Sequence, residues 1–206
     1  MKQIPKGVLA LAAIVLVGCE NDATRLERIP VVLQPEKGEP ITLQIPRGYI
    51  EKPKKPEGAL SNVILRIAAA EFSGSQAFVP ESEVRMLIEP TGSASDAAHQ
   101  RHASAQRKAR SSVEALRKSD EKSKPGLIAY TYPNGEEDAE AYYLTSKTGD
   151  VFVECRKAVC SAYKTWRKRI HVRVDSQPAN TADVQSLDAA VDQLLQTFAP
   201  EPASAK

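Results

Sequence analysis

The sequence predicts an α+β fold, in which an antiparallel sheet of about six or seven strands is packed by a C-terminal amphipathic helix. Three observations predict it. Short runs rich in β-branched residues recur along the chain and are separated by turn residues. The last of these runs is followed by a helical stripe that ends at Pro200. Between the early and late runs, Ser93 to Lys124 is rich in Ala and polar residues, which predicts a polar helical excursion.

The N-terminus has the pattern of an export signal. Lys2 and Lys6 precede an apolar run from Gly7 to Val17. This run is shorter than the roughly 20 residues of a spanning helix, but it fits a signal core of about 7–15 residues. It ends in Leu-Val-Gly-Cys at Cys19, which resembles the lipobox of bacterial lipoproteins. A buried N-terminal helix and an ordinary secretory signal are the alternatives.

The lipobox resemblance implies that the chain is cut before Cys19 and that this cysteine carries acyl chains, palmitate among them. Two or more acyl chains anchor a protein firmly, whereas one holds it marginally. We therefore expect a lipid-anchored protein on the periplasmic side of a bacterial membrane. Glu20 is not the aspartate associated with inner-membrane retention, so the resemblance favours the outer membrane.

The expected organisation is a signal peptide (1–18), a tether (19–29), a single α+β domain (30–199) and a tail (200–206). The whole chain has 28 basic and 26 acidic residues. Removing Lys2 and Lys6 with the signal leaves a neutral body. Neutral charge and few aromatic residues argue against a nucleic-acid partner.

The domain opens with a predicted hairpin. Val31 to Leu33 and Ile41 to Ile45 have strand composition, and Pro35 to Gly38 supplies the turn. Ile41 to Ile45 alternates apolar and polar residues, so one of its faces should be buried. Glu51 to Gly58 is expected to be a solvated connector. Further strands are predicted at Asn62–Ala68, Val84–Ile88, Leu127–Tyr132, Ala139–Thr145, Asp150–Arg156 and Ser161–Asp175.

The polar excursion has one weak helical stripe, formed by Ala109, Val113 and Leu116. Its first part, Ser93 to Ser104, has the composition of a disordered segment. His99 and His102 are three residues apart and would share a helix face. A metal site is disfavoured, because no third ligand is nearby in the sequence.

Cys155 and Cys160 form an even pair, and an oxidising compartment favours a disulfide between them. Such a short loop is worth only about 2 kcal/mol, so its expected role is to fix a hairpin tip.

Two patches are candidates for contact with a partner protein. The first is the acidic turn that contains Glu136, Glu137 and Asp138. The second is Trp166 with Arg167, in a basic stretch, because Trp and Arg are enriched at binding hot spots. The alternatives are a solvated turn and a core or rim tryptophan with a basic outer face.

The C-terminal helix should be capped by Thr181, with Asp183 in its first turn. Its apolar face is spaced by three and four residues. The face consists of Val184, Leu187, Val191, Leu194 and Phe198.

No motif for catalysis is present: there is no phosphate-binding loop, no nucleophile elbow and no zinc-protease motif. The sequence therefore predicts a protein that is not an enzyme and that needs no cofactor or metal.

The order of elements, with an Ile-Pro-x-x-Tyr-Ile phrase from Ile45 to Ile50, a cysteine-flanked hairpin and an amphipathic terminal helix, resembles a known family. It is similar to envelope lipoproteins that act as immunity proteins against type VI secretion effectors, including phospholipase toxins. The resemblance spans Val31 to Phe198, and the Ser93 to Lys124 excursion departs from it. It implies stoichiometric neutralisation of a toxin. A structural or assembly lipoprotein of an envelope or secretion complex is the alternative, and a periplasmic small-ligand binder is a third hypothesis.

Overall fold

The computed structural model describes residues 25–54, 56–72, 77–79, 81–91, 97–134, 137–157, 159–177 and 183–199. Cys19, Glu136, the signal peptide and the tail lie outside them. The strands within the described residues are β1 (Arg28–Leu33), β2 (Ile41–Pro46), β3 (Ile50–Lys52), β4 (Ala59–Leu60), β5 (Val63–Ala68), β6 (Glu83–Pro90), β7 (Leu127–Asn134), β8 (Glu137–Leu144), β9 (Val151–Arg156), β10 (Val159–Trp166) and β11 (Ile170–Ser176). The helices are α1 (Ala97–Ala109), α2 (Val113–Lys122) and α3 (Val184–Phe198).

The predicted α+β class is confirmed, with an antiparallel sheet and a C-terminal helix packed on it. The large sheet has eight strands in the order β3-β5-β6-β11-β10-β9-β8-β7, where the sequence predicts about six or seven. The additional strands are β3 and the product of a wrong prediction: the expected single strand Ser161–Asp175 is two strands, β10 and β11, because the chain turns at residues 167–169. β3 lies in the stretch expected to be a connector, and β4, which belongs to the small sheet, lies directly after it. Composition did not predict either strand; each is defined by its pairing with a neighbouring strand.

The first hairpin forms a sheet of its own, in which β1 lies between β2 and β4. In β2, Ile41, Leu43 and Ile45 are buried while Thr42 and Gln44 are exposed, as the alternation predicts. The predicted tether is too long at its C-terminal end, since Arg28 and Ile29 already pair with β2.

Helix α3 packs with the small sheet against one face of the large sheet. The predicted cap is wrong: Asp183 is the N-cap, and its carboxylate accepts a hydrogen bond from Ser186 N at 3.2 Å. Thr181 lies outside the described residues. Of the predicted apolar face, only Leu194 is half-buried; the other members are buried, and Leu195 joins them.

Helix α1 covers the opposite face of the large sheet. Its buried residues are alanines, Ala98, Ala105 and Ala109. They pack against a sheet surface of aromatic rings from Tyr130, Tyr132, Tyr143, Phe152 and Tyr163. The helix needs no bulky apolar side chains of its own, because the aromatic rings of the sheet fill the space between the helix and the sheet.

The predicted stripe of Ala109, Val113 and Leu116 is wrong. Ser112 caps a second helix, α2, so the three residues lie on two helices. Val113 is 88% exposed and Leu116 is 43% exposed. The segment expected to be disordered is helical from Ala97 onward.

Helix α2 covers the outer edge of β7. Thr131 N donates to Ser119 Oγ at 2.9 Å, and Ala129 N donates to Ser123 Oγ at 3.0 Å. An uncovered strand edge invites pairing with another chain, so the two serines protect the longest edge of the sheet.

Candidate functional site

The turn between β10 and β11 carries three consecutive basic residues, Arg167, Lys168 and Arg169, which we call the basic turn. Arg167 and Lys168 have φ angles of 49° and 57°. This left-handed conformation costs a residue with a side chain roughly 1–2 kcal/mol. Such strain persists only where neighbouring structure imposes it, and it concentrates at functional sites.

Two neighbouring segments impose the conformation of the basic turn. Arg167 N donates to Thr148 O at 2.7 Å, which ties the turn to the β8–β9 loop. On the other side, Thr91 N donates to Arg169 O at 2.8 Å, and Thr91 Oγ1 donates to Lys168 O at 3.0 Å. The backbone of the basic turn is therefore held from both sides.

Gly149 allows the β8–β9 loop to lie against β10. A Cβ at this position would lie 1.9 Å from Thr165 O, and the φ of 141° is itself one that residues with side chains rarely adopt. Only glycine therefore fits between the loop and the strand.

A buried ion cluster anchors the same loop to α3. Lys164 Nζ lies 2.5 Å from Oδ1 of Asp188 and 2.5 Å from Oδ1 of Asp192. Thr148 Oγ1 donates to Asp192 Oδ2 at 2.5 Å. Burial raises the pKa of the Asp188 carboxyl, although the Lys164 ammonium acts in the opposite direction. The cluster thus connects the helix, β10 and the loop that holds the basic turn.

Beside the basic turn lies a groove of about 360 Å³ between the small sheet, the β10–β11 turn and the end of α3. We call it the turn groove. Its lining residues are Pro40, Ile41, Thr42, Gln44, Trp166, Arg167, Arg169, Ile170, Phe198 and Ala199.

Trp166 is both a core residue and a wall of the turn groove. Its side chain is 3% exposed, so the core alternative for this residue holds for most of its surface. The Arg167 guanidinium lies 4.3 Å from the ring centroid, a cation–π distance. Among the described residues, Trp166 Nε1 has no acceptor. A buried donor without an acceptor costs about 1–3 kcal/mol.

Among the described residues, no acidic side chain compensates the charge at two of the three positions of the basic turn. Lys168 and Arg169 are exposed, and neither forms an ion pair with any residue that the structure describes. An acidic surface would therefore be electrostatically complementary to the basic turn.

Glu137 and Asp138, the described part of the acidic turn, lie beside Arg156 and Lys157 at the other end of the large sheet. Arg156 and Val159 pair at the end of β10 that is opposite Trp166. Because a strand rises about 3.3 Å per residue, the eight residues of β10 separate the two patches by roughly 25 Å. The structure therefore does not bring the two predicted patches together.

Lysines neutralise the described part of the acidic turn. Asp138 Oδ2 lies 3.0 Å from Lys118 Nζ, and Glu137 Oε1 lies 3.6 Å from Lys157 Nζ. The described part of the acidic turn is thus a weaker electrostatic patch than its sequence indicates.

Cys155 and Cys160 face each other across β9 and β10 and form a disulfide, with their Cα atoms 4.1 Å apart. The disulfide closes the hairpin at the end of the sheet near the acidic turn. It therefore lies away from the basic turn.

Of the two histidines of α1, His102 faces the tyrosine-rich surface, whereas His99 is exposed and its ring lies 6.1 Å from that of His102. The His102 ring stacks on Tyr143 at 3.8 Å, and His102 Nε2 is 2.6 Å from Tyr130 Oη. Burial lowers the pKa of His102, and the neighbouring His99 adds to this effect. His102 thus serves helix packing in this arrangement.

Within the described part of the chain, no group of three or more His, Cys, Asp or Glu side chains could hold a metal ion. None of the helices described has the length and hydrophobicity needed to cross a membrane. No family model, curated protein or solved structure matches this chain.

Sequence reasoning missed the buried cluster and the role of β2. Two signals were present. Lys164 alternates with Ala162 and Trp166 in a strand whose inward face is otherwise apolar. Asp188 follows Leu187 inside the apolar stripe of α3.

Proposed function

We propose that this protein is a lipid-anchored periplasmic binding protein that neutralises a toxic effector by stoichiometric binding through the basic turn and the turn groove. The observation that supports this proposal most directly is the left-handed backbone at Arg167 and Lys168, which is fixed by hydrogen bonds and lies beside a groove lined by Trp166. A turn fixed before binding loses little conformational freedom in the complex. Trp and Arg are also the side chains most often found at binding hot spots.

The resemblance to immunity lipoproteins of type VI secretion supports the choice of partner, and a phospholipase is the effector class that it implies. The lipid on Cys19 would keep the protein at the membrane surface, where such an effector acts. Uncompensated positive charge on Lys168 and Arg169 would speed the encounter with an acidic effector surface, because charge complementarity raises association rates.

The experiment pairs the mature chain (19–206) with the product of the reading frame next to its gene. Cells that make this product in the periplasm should stop growing, and co-expression of the full chain should restore growth. Purified together, the two proteins should form a stoichiometric complex. A neighbouring product that is an envelope-assembly component, harmless to cells, would replace this proposal with the assembly-lipoprotein alternative.

A further inference from the structure

Strand β2 is an outer strand of the small sheet, and its hydrogen-bond register shows which backbone groups face outward. Arg47 N donates to Glu27 O at 2.9 Å, which makes this a hydrogen-bonded pair of the β1–β2 ladder. Such pairs alternate along an antiparallel ladder. Leu43 therefore bonds to β1, whereas the N–H and C=O groups of Thr42 and Gln44 point away from it.

The neighbouring residues agree with this register. Gln34 N donates to Leu60 O at 2.8 Å, on the side of β1 away from β2. The backbone N of Pro30, four residues earlier on β1, also faces away from β2. Because proline has no N–H, its place at this position costs no hydrogen bond between β1 and β2.

The outer edge of β2 contrasts with the serine-capped edge of β7. Among the described residues, Thr42 N, Thr42 O and Gln44 N have no hydrogen-bond partner, and Gln44 O accepts only a long bond of 3.4 Å from Arg28. Strand edges of this kind pair readily with an extended chain. Within the part of the chain that the structure describes, the fold therefore covers one long edge and leaves this one open.

The open edge faces the turn groove. Thr42 and Gln44 line it together with Arg169, Ile170 and Phe198. A chain paired with β2 would lie about 4.8 Å beyond it, between the small sheet and the basic turn. Alternate side chains of that chain would meet the apolar floor formed by Ile170 and Phe198, and the chain would pass Arg169.

We infer that the turn groove takes an extended acidic segment of the partner protein, which adds to β2 as a fourth strand of the small sheet. Main-chain bonds to Thr42 and Gln44 give affinity, as in other cases of strand addition. Carboxylates on the segment contact Lys168 and Arg169. The inference rests on the proposed function for its choice of a protein partner, and its geometry rests on the open edge alone.

Thr42→Pro is the variant that tests strand addition. Proline removes the outward N–H but none of the bonds to β1, because residue 42 donates none of them, and proline is tolerated at such edge positions. Thr42→Val is the matched control, because it changes the same side chain and keeps the N–H. Circular dichroism and the unfolding midpoint verify that both variants fold.

The probe is a blocked seven-residue peptide in which valine and glutamate alternate, and its control is the same peptide with lysine in place of glutamate. The ¹⁵N-labelled mature chain carries Cys19→Ser, which leaves out the lipid. We expect the acidic peptide to shift the amide signals of Thr42 and Gln44 and to slow their hydrogen exchange at least tenfold. The lysine peptide should do neither, and Thr42→Pro should weaken binding at least tenfold relative to Thr42→Val.

Two results would overturn the inference: no shift at millimolar acidic peptide, or equal binding by the two Thr42 variants. In the second case, shifts confined to Lys168 and Arg169 would indicate surface charge contact alone. If Thr42→Pro fails to fold, the test is amide exchange at Thr42 and Gln44 of the unsubstituted chain. Slower exchange with the acidic peptide supports strand addition, and unchanged exchange overturns it. The proposed function fails separately, when the product of the adjacent reading frame does not bind the chain although the acidic peptide pairs with β2.

Discussion

Replacing Lys164 with Met removes the ammonium group that two buried carboxylates share and roughly keeps the length of the side chain. Lys164 is 4% exposed, and its Nζ lies 2.5 Å from a carboxylate oxygen of both Asp188 and Asp192. Breaking a buried ion pair by removing one partner costs about 3–5 kcal/mol. We therefore expect Lys164→Met to lower the free energy of unfolding by about 3–5 kcal/mol, which corresponds to a thermal unfolding midpoint lower by about 6–20 °C.

The assay is urea unfolding followed by the fluorescence of Trp166, the single tryptophan of the chain. Lys124→Met is the control, because Lys124 is exposed and the same change there should cost less than about 0.5 kcal/mol. The deficit of Lys164→Met should be largest at neutral pH and shrink in acid, because burial raises the pKa of the Asp188 carboxyl and its protonation removes the unpaired buried charge. A deficit below about 1 kcal/mol would refute the reasoning, since it would equal that of a solvated pair.

Three further predictions concern the rest of the fold. The pKa of His102 lies below its usual value of about 6.5. The unfolded state therefore binds more protons than the folded state just below pH 6.5, and the free energy of unfolding should fall as the pH drops from 6.5 to the folded-state pKa. His102→Gln should flatten this pH dependence, measured by urea unfolding at several pH values. An unchanged pH dependence would contradict a lowered pKa at His102. Ser119→Ala should cost about 1–3 kcal/mol, because Thr131 N loses its buried acceptor; amide exchange at Thr131 should accelerate, and unaltered exchange would show that α2 does not protect the edge. Reduction of the Cys155–Cys160 disulfide, which joins residues five apart, should cost about 2 kcal/mol in urea unfolding, whereas the loss of all cooperative unfolding would contradict a local role.

Local patterns predicted the buried faces of single elements, although they did not show the turn that divides Ser161–Asp175 into two strands. The alternation in β2 and the three-and-four spacing in α3 each marked the buried face correctly. The stripe from Ala109 to Leu116 failed because a helix break at Ser112 resets the periodicity, and only the cap itself reveals that break.

The candidate site could be predicted only in part, because its geometry depends on contacts between distant segments. Trp166 and Arg167 were evident from composition, yet the groove beside them needs β2, more than one hundred residues earlier in the chain. The outward direction of Thr42 follows from the bond between Arg47 and Glu27, and no local pattern encodes that register.

The most direct test of the central claim measures binding and inhibition of the product of the adjacent reading frame by charge-reversed variants of the mature chain. Lys168→Glu/Arg169→Glu should weaken the complex at least tenfold, mainly through slower association at low salt, and should fail to restore growth. Arg107→Glu/Lys124→Glu makes the same charge change at exposed positions away from the turn groove, and it should remain within twofold of the unsubstituted chain. Equal binding and equal protection by the two variants would contradict a binding site at the basic turn.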